Sequence, residues 1–210
     1  MTLVKRAFRF YSLPLYIMIH PFEGFYAMKF ERRGTIRLAL FNFFLVCISY
    51  AINHQYTSII VNTQNPMTLN SLAHISTLFA GLMLFCVSNW SVTSLTDGEG
   101  RFKDILMAVC YAMTPLILTI IPATIISNFL SLEETGFYHM LLTVGMAYFV
   151  FLVFIGLVVV HNYGAVKSII TILLTFVAVL VIVFLVTLLL TLWQQMFVFL
   201  YSLYTELMFR

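Results

Sequence analysis

Four stretches of this chain contain no Asp, Glu, Lys or Arg: residues 38–96, 105–132, 135–166 and 168–205. Runs of that length without a charge belong in hydrocarbon, where an ionised side chain is expensive and every backbone N–H and C=O must find its partner inside a helix. The first stretch is long enough for two crossings. A polar segment over residues 53–70, with Gln55, Asn62, Gln64, Asn65 and Pro66, divides it. The pattern therefore predicts five helices over residues 37–52, 72–93, 105–126, 136–160 and 168–193, each near the ~20 residues that a ~30 Å hydrocarbon core requires. With 62% of its residues hydrophobic and 9% charged, the chain is excluded from the soluble globular, disordered and nucleic-acid-binding classes. The fold class is all-α: an integral membrane bundle of five transmembrane helices with an interfacial amphipathic N-terminal segment.

Orientation follows from where the basic residues lie. Lys5, Arg6, Arg9, Lys29, Arg32, Arg33 and Arg37 precede or open the first span, Arg101 and Lys103 lie between the second and third, and Lys167 lies between the fourth and fifth. All of these fall on one side, which the positive-inside rule makes cytoplasmic. The opposite side receives the uncharged 53–70 loop, the Glu133-Glu134 connection and the C-terminal end. Three units result: a cytoplasmic interfacial segment over 1–35, a five-span membrane domain over 36–193, and an external or lumenal tail over 194–210.

In the first unit Phe8, Phe10, Tyr11, Tyr16, Phe22, Phe25, Tyr26 and Phe30 alternate with basic residues, as in helices that rest at the headgroups. Pro14 and His20-Pro21 argue against a cleaved leader there. In the tail Trp193, Gln194, Gln195, Tyr201, Tyr204 and Glu206 interrupt the apolar run, and three courses are open to it: a tilted helix, an outward continuation, or a bend along the outer surface.

The densest polar segment is the cytoplasmic loop Asp97-Gly98-Glu99-Gly100-Arg101-Phe102-Lys103-Asp104. Thr96 and Glu99 have the spacing of a capping box, and Asp97 with Arg101 and Glu99 with Lys103 have the i,i+4 spacing of helical ion pairs. The loop is thus read either as a structural hairpin or as a docking surface whose candidate residues are Asp97, Gly98, Glu99, Gly100, Arg101, Lys103 and Asp104. It lacks the ligand spacing of a calcium-binding loop. A second cytoplasmic turn, residues 161–167, carries a lone His161, a helix-stopping Gly164 expected at positive φ, and Lys167 as a headgroup anchor.

Within the spans the notable polar or kink positions are Asn42, Thr114, Pro115 and Pro122, with Ala108 and Ala112 as a small pair for close helix approach. No span holds the carboxylate or cation that ion-coupled transport uses. Cys47, Cys86 and Cys110 form no C-x-x-C pair, and no catalytic, nucleotide-binding or metal motif occurs, so neither cofactor nor metal is expected. Asn89-Trp90-Ser91 matches a glycosylation acceptor, but on the cytoplasmic side, where it stays unmodified.

The order of these features resembles the Ypt-interacting protein (Yip) domain family. The likeness is carried by Pro21-Phe22-Glu23-Gly24-Phe25 before the first span, by the D-G-x-G-x-x-K-D pattern of residues 97–104, and by Tyr111 and Pro115 as the Y-x-x-x-P element of the next helix. Residues 161–167 are similar to the corresponding connection of prokaryotic members. The resemblance implies a bacterial-type member in the plasma membrane, without the long cytoplasmic region through which eukaryotic members act in vesicle traffic. The expected function is that of a non-enzymatic scaffold or accessory subunit, its partners being the lipid bilayer and a membrane or cytoplasmic protein. The alternative is a small-solute or lipid transport component. A membrane-impermeant thiol reagent is expected to reach cysteines introduced at Asn65 and at Gly98 from opposite sides of the membrane; labelling from one side would overturn the five-span map.

Overall fold

The computed structural model describes residues 13–62 and 70–209. Lys5, Arg6, Arg9, Phe8, Phe10, Tyr11, Gln64, Asn65, Pro66 and Arg210 lie outside them. Among the described residues eight helices follow one another: α1 (13–19), α2 (Pro21–Lys29), α3 (Ile36–Tyr56), α4 (Ser71–Leu95), α5 (Phe102–Ala112), α6 (Thr114–Ser127), α7 (Thr135–His161) and α8 (Ala165–Met208), with a 3-10 turn, Leu132–Glu134, before α7. Among the described residues five segments are long and apolar enough to cross a membrane: Ile36–Tyr56, Leu72–Leu95, Phe102–Ser127, Leu132–His161 and Ala165–Met208. The third is α5 and α6 together, and the fifth runs unbroken through the positions that the sequence had left open.

α5 is the centre of the bundle. It packs on α3, α4 and α7, and every residue from Ile105 to Ala112 is buried. Ala108 and Ala112, 1% and 0% exposed, supply the close approach expected of them. At Met113 the span breaks, because Pro115 has no N–H to give to the carbonyl of Tyr111 four residues earlier. Side chains pair the carbonyls at the break, beside the Met113 N–H, which reaches Cys110 O at 3.3 Å. The Thr114 hydroxyl donates to Tyr111 O at 2.7 Å, and Asn42 on α3 donates from Nδ2 to Cys110 O at 2.6 Å and to Thr114 Oγ1 at 3.3 Å. Pro122, in contrast, lies inside α6 without ending it.

Tyr111, fully buried, ties this centre to the chain before α3: its hydroxyl donates to Thr35 O and accepts from Thr35 N, at 2.9 and 3.0 Å. Near the other membrane surface a second polar knot joins three helices. Asn53 donates to Thr124 Oγ1 and to the Tyr138 hydroxyl, at 2.8 and 2.9 Å. α6 and α7 touch where Gly145 lacks a side chain, since a Cβ there would stand 2.1 Å from Thr119 Oγ1.

The N-terminal helices are two-faced. Ile17, Phe25 and Met28 are buried, Phe25 lying on Gly156 of α7, whereas Tyr16, Phe22, Tyr26 and Phe30 are exposed. Pro21 occupies the first turn of α2, where its missing N–H costs nothing. Gly24 leaves room for Ile17, whose Cα a Cβ would meet at 2.7 Å. Tyr148 adds a hydrogen bond from its hydroxyl to Met18 O.

Asn42→Ala is expected to destabilise the bundle by about 0.5–1.5 kcal/mol, the net worth of a buried hydrogen bond, since Cys110 O keeps the Met113 N–H as a donor. Thermal unfolding in detergent reads this as a lowered Tm; an unchanged Tm would show that the break at Pro115 is satisfied without Asn42.

Candidate functional site

The end of the bundle that carries the 96–101 and 161–164 connections is built from three stretches that are distant in the chain. The 96–101 connection lies across the start of the 161–164 turn, α2 approaches from one side, and the ends of α4 and α8 close the other. His161 is the pivot. It is 2% exposed, and its Nε2 lies 3.1 Å from Asn89 Oδ1.

Hydrogen-bond direction fixes which ring nitrogen carries the proton. The single hydroxyl proton of Thr175 goes to Thr171 O at 2.8 Å. Asn89 must then donate from Nδ2 to Thr175 Oγ1, 3.1 Å away, leaving Oδ1 as an acceptor. His161 therefore donates from Nε2, and Nδ1 holds a lone pair. That nitrogen is buried and has no hydrogen-bond partner.

Gly98 and Gly100 cover it. A Cβ on Gly98 would lie 2.8 Å from His161 Nδ1, from Thr93 Cβ and from the Tyr163 hydroxyl oxygen; one on Gly100 would lie 2.6 Å from His161 Cε1. The two glycines of the loop are thus set by the need for backbone to rest directly on an imidazole. Tyr163 completes the clasp. It stacks on His161 with ring centres 5.4 Å apart, donates to Thr96 O at 2.9 Å, and carries Lys167 Nζ 4.2 Å from its ring centre. Lys29 at the end of α2 donates to Val160 O at 2.7 Å and lies 3.7 Å from the Glu99 carboxylate.

This geometry corrects the helical reading of the loop. Thr96 ends α4 and sends its hydroxyl to Val92 O and to Tyr163, so it caps no following helix. Asp97 has left-handed backbone, φ 56°, and α5 begins only at Phe102, where the Asp104 carboxylate accepts the Arg101 N–H at 3.3 Å. The i,i+4 pairs therefore do not form, because residues 98–100 follow the surface of His161 and not a helical path. In the second turn the left-handed residue is Asn162, φ 55°, while Gly164, at φ −68°, caps α8.

Of the candidate positions, Asp97, Glu99, Arg101 and Lys103 are exposed, Gly98, Gly100 and Asp104 are partly covered, and all seven lie in one continuous segment. Asn42, Thr114 and Pro115 form the separate knot on α3, α5 and α6. Sequence reasoning did not find Lys29, Asn89, Tyr163 or the central place of His161. The signal for Asn89 was present, an amide inside a charge-free span with no small-molecule motif around it, and it was read only as a glycosylation acceptor. Among the described residues no group of three or more His, Cys, Asp or Glu is placed to hold a metal ion.

Gly98→Val and Gly100→Val are each expected to lift the loop from His161 and destabilise the protein by about 1–3 kcal/mol, as overpacking does. Cleavage by trypsin at Arg101 and Lys103 should quicken in both. Glu99→Gln should cost at most about 1 kcal/mol, since its ion pair is exposed. Equal trypsin resistance in all three variants would remove the clasp. Glu99, with its exposed side chain, also replaces Gly98 as the position for side-of-membrane labelling.

No curated protein and no solved structure matches the chain. The model of the Yip1 domain matches residues 15–204, a stretch that contains Pro21, Gly24, the Gly98–Gly100 clasp, Tyr111, Pro115 and His161. With nearly the whole described bundle inside that match, the protein is an integral membrane protein belonging to the Yip1 domain family.

Proposed function

We propose that the protein is a non-enzymatic scaffold or accessory subunit of a membrane complex, and that its partner docks at the cytoplasmic end through Asp97, Glu99, Arg101 and Lys103. One observation carries this reading. These four exposed charges sit on a loop whose intervening glycines are pressed on a buried histidine, so both signs of charge are presented in fixed order on a rigid support. A docking surface gains from such preorganisation, because little chain entropy is lost on binding. The exposed aromatic rings of Tyr16 on α1 and of Phe22 and Tyr26 on α2 adjoin through Lys29 and extend the surface toward the headgroups. Proteins of the family interact with other proteins, the charge distribution supports a cytoplasmic N-terminus and an external C-terminus, and the plasma membrane is the placement proposed with them.

A second reading, a small-solute or lipid transport component, has one observation in its favour. A crevice of about 780 Å³ opens between α4, α5, α7 and α8, lined by Gly81, Leu82, Val109, Phe154, Leu157 and Leu173 among others. Its walls are apolar, which suits a lipid and not a polar solute. Asn42 and Thr114 do not line it; both are buried in the α3–α5 knot.

The test is co-purification from native membranes in mild detergent, comparing the protein with the Asp97→Asn, Glu99→Gln double variant. Asn tolerates the left-handed backbone at position 97, so the fold is kept while two charges go. A stoichiometric partner retained by the parent protein and lost or reduced at least tenfold in the variant is the expected result. Absence of any partner, together with lipid movement by the protein reconstituted alone, would replace the scaffold reading with the transport one.

A further inference from the structure

Beside the clasp, α1, α2 and residues 31–33 frame a hollow of about 500 Å³, within the ~300–1,000 Å³ of small-ligand sites. Three aromatic side chains line it, Tyr16, Phe22 and Tyr26, each between 39% and 59% exposed. Among them stand the charged groups Glu23, Glu31 and Arg33. Glu31 is paired with Arg33 Nε at 2.8 Å. Glu23 has no cationic partner among the described residues; its carboxylate accepts the Tyr16 hydroxyl at 2.7 Å. The hollow therefore carries one carboxylate in excess, framed by exposed rings. Its depth follows from how α2 lies on α7. Phe25 rests on Gly156 and Lys29 donates to Val160 O, so the two helices run in the same direction and end together. α7 has 27 residues, about 40 Å, and overreaches a ~30 Å hydrocarbon core by about 5 Å at each end. Glu23 lies in the first turn of α2 and Lys29 in the last, about 9 Å apart along the axis, and Glu23 so stands at the edge of the hydrocarbon.

We propose that this hollow seats the headgroup of a phospholipid that ends in an ammonium, with the ammonium against Glu23 and the three rings and the phosphate on the guanidinium of Arg33. Three features select that occupant. An exposed carboxylate at the hydrocarbon edge requires a cation, because unpaired charge is expensive there. Aromatic rings grouped about a carboxylate are the chemistry that holds primary and quaternary ammonium groups, through attraction to the ring faces. Arg33, with 67% of its side chain exposed, keeps guanidinium N–H groups beyond the one given to Glu31, in the fork that fits a phosphate. The excess of acid disfavours an anionic headgroup, and the charged wall disfavours an acyl chain. A lysine from a soluble partner would have to enter about 9 Å below the end of α7, whereas a lipid headgroup is already at that level.

The test is native mass spectrometry of the full chain, released from detergent with phosphatidylcholine, phosphatidylethanolamine or phosphatidylglycerol of identical acyl chains. The first ammonium-bearing lipid is expected to bind roughly fivefold tighter than phosphatidylglycerol, and Glu23→Gln should erase that difference. Tyr26→Leu should weaken binding about threefold through loss of a ring. Glu23 and Tyr26 are both exposed, so the fold is kept in these variants. Tyr16→Phe keeps the ring and removes only the hydrogen bond to Glu23, and it should retain the preference. Equal affinity for the three lipids, a preference for phosphatidylglycerol, or a preference that survives Glu23→Gln would overturn the proposal. A loss in Tyr16→Phe equal to that in Glu23→Gln would do the same, by making the carboxylate a structural group. Soluble phosphocholine binding as tightly as the lipid would make the ligand a free amine, and equal lipid affinities with a co-purifying protein lost in Glu23→Gln would put a partner's basic side chain in the hollow; either overturns the lipid assignment.

Discussion

Within the bilayer core no water is available to a backbone group that loses its helical partner, and the architecture depends on how that requirement is met at Pro115. The residue falls in the most buried span, whose first half touches α3, α4 and α7. By withholding one N–H it creates a break that straight helices would not need, and the break is closed by Thr114 and by Asn42 from α3. Asn42 could not reach Cys110 unless α3 ran close beside α5. Satisfaction of one carbonyl thereby fixes a helix pair, and Tyr111 fixes the chain that enters it.

The same logic operates at the end that carries the 96–101 and 161–164 connections, with a side chain as the group in need. Asn89 and Thr175 order the His161 ring from below, the glycines of the 97–101 loop cover it from above, and Tyr163 closes the side. Two stretches distant in sequence, residues 89–101 and 161–175, are thereby held together at one residue. The exposed charges of the loop inherit their positions from this arrangement, although none of them contributes much to it. That separation of support from display lets the outward residues vary in charge without loss of the fold.

Charge-free length was enough to read five crossings, because the cost of an ion in hydrocarbon is large and independent of detail. The extent of the fifth helix, the break at Met113 and the identity of the clasp were less accessible, each for its own reason. Tyr201 and Gln194 reduce hydropathy without weakening a helix, so composition underestimates α8. Proline signals a bend, but the partner that repairs it is 72 residues away from Thr114 in sequence. The spacing of Thr96 and Glu99 satisfied a local helical rule, and a tertiary contact overrode it: His161 occupies the place where the first turn would have passed.

The two ends of the protein consequently differ in how they meet their surroundings. At the end that carries the clasp most polar groups are paired within the chain, His161 Nδ1 and Ser168 Oγ excepted, and the exposed charges of the loop lie outside that network. On α8 only Ser168, Thr171 and Thr175 are buried, so its hold on the bundle is confined to the turns nearest the clasp. Beyond Thr175 the helix depends on lipid for cover, and its stability rises or falls with the bilayer and not with the packing of α3 to α7. A change in membrane thickness therefore acts first on the C-terminal half of α8, while the clasp, anchored through His161 and Lys29, keeps its geometry.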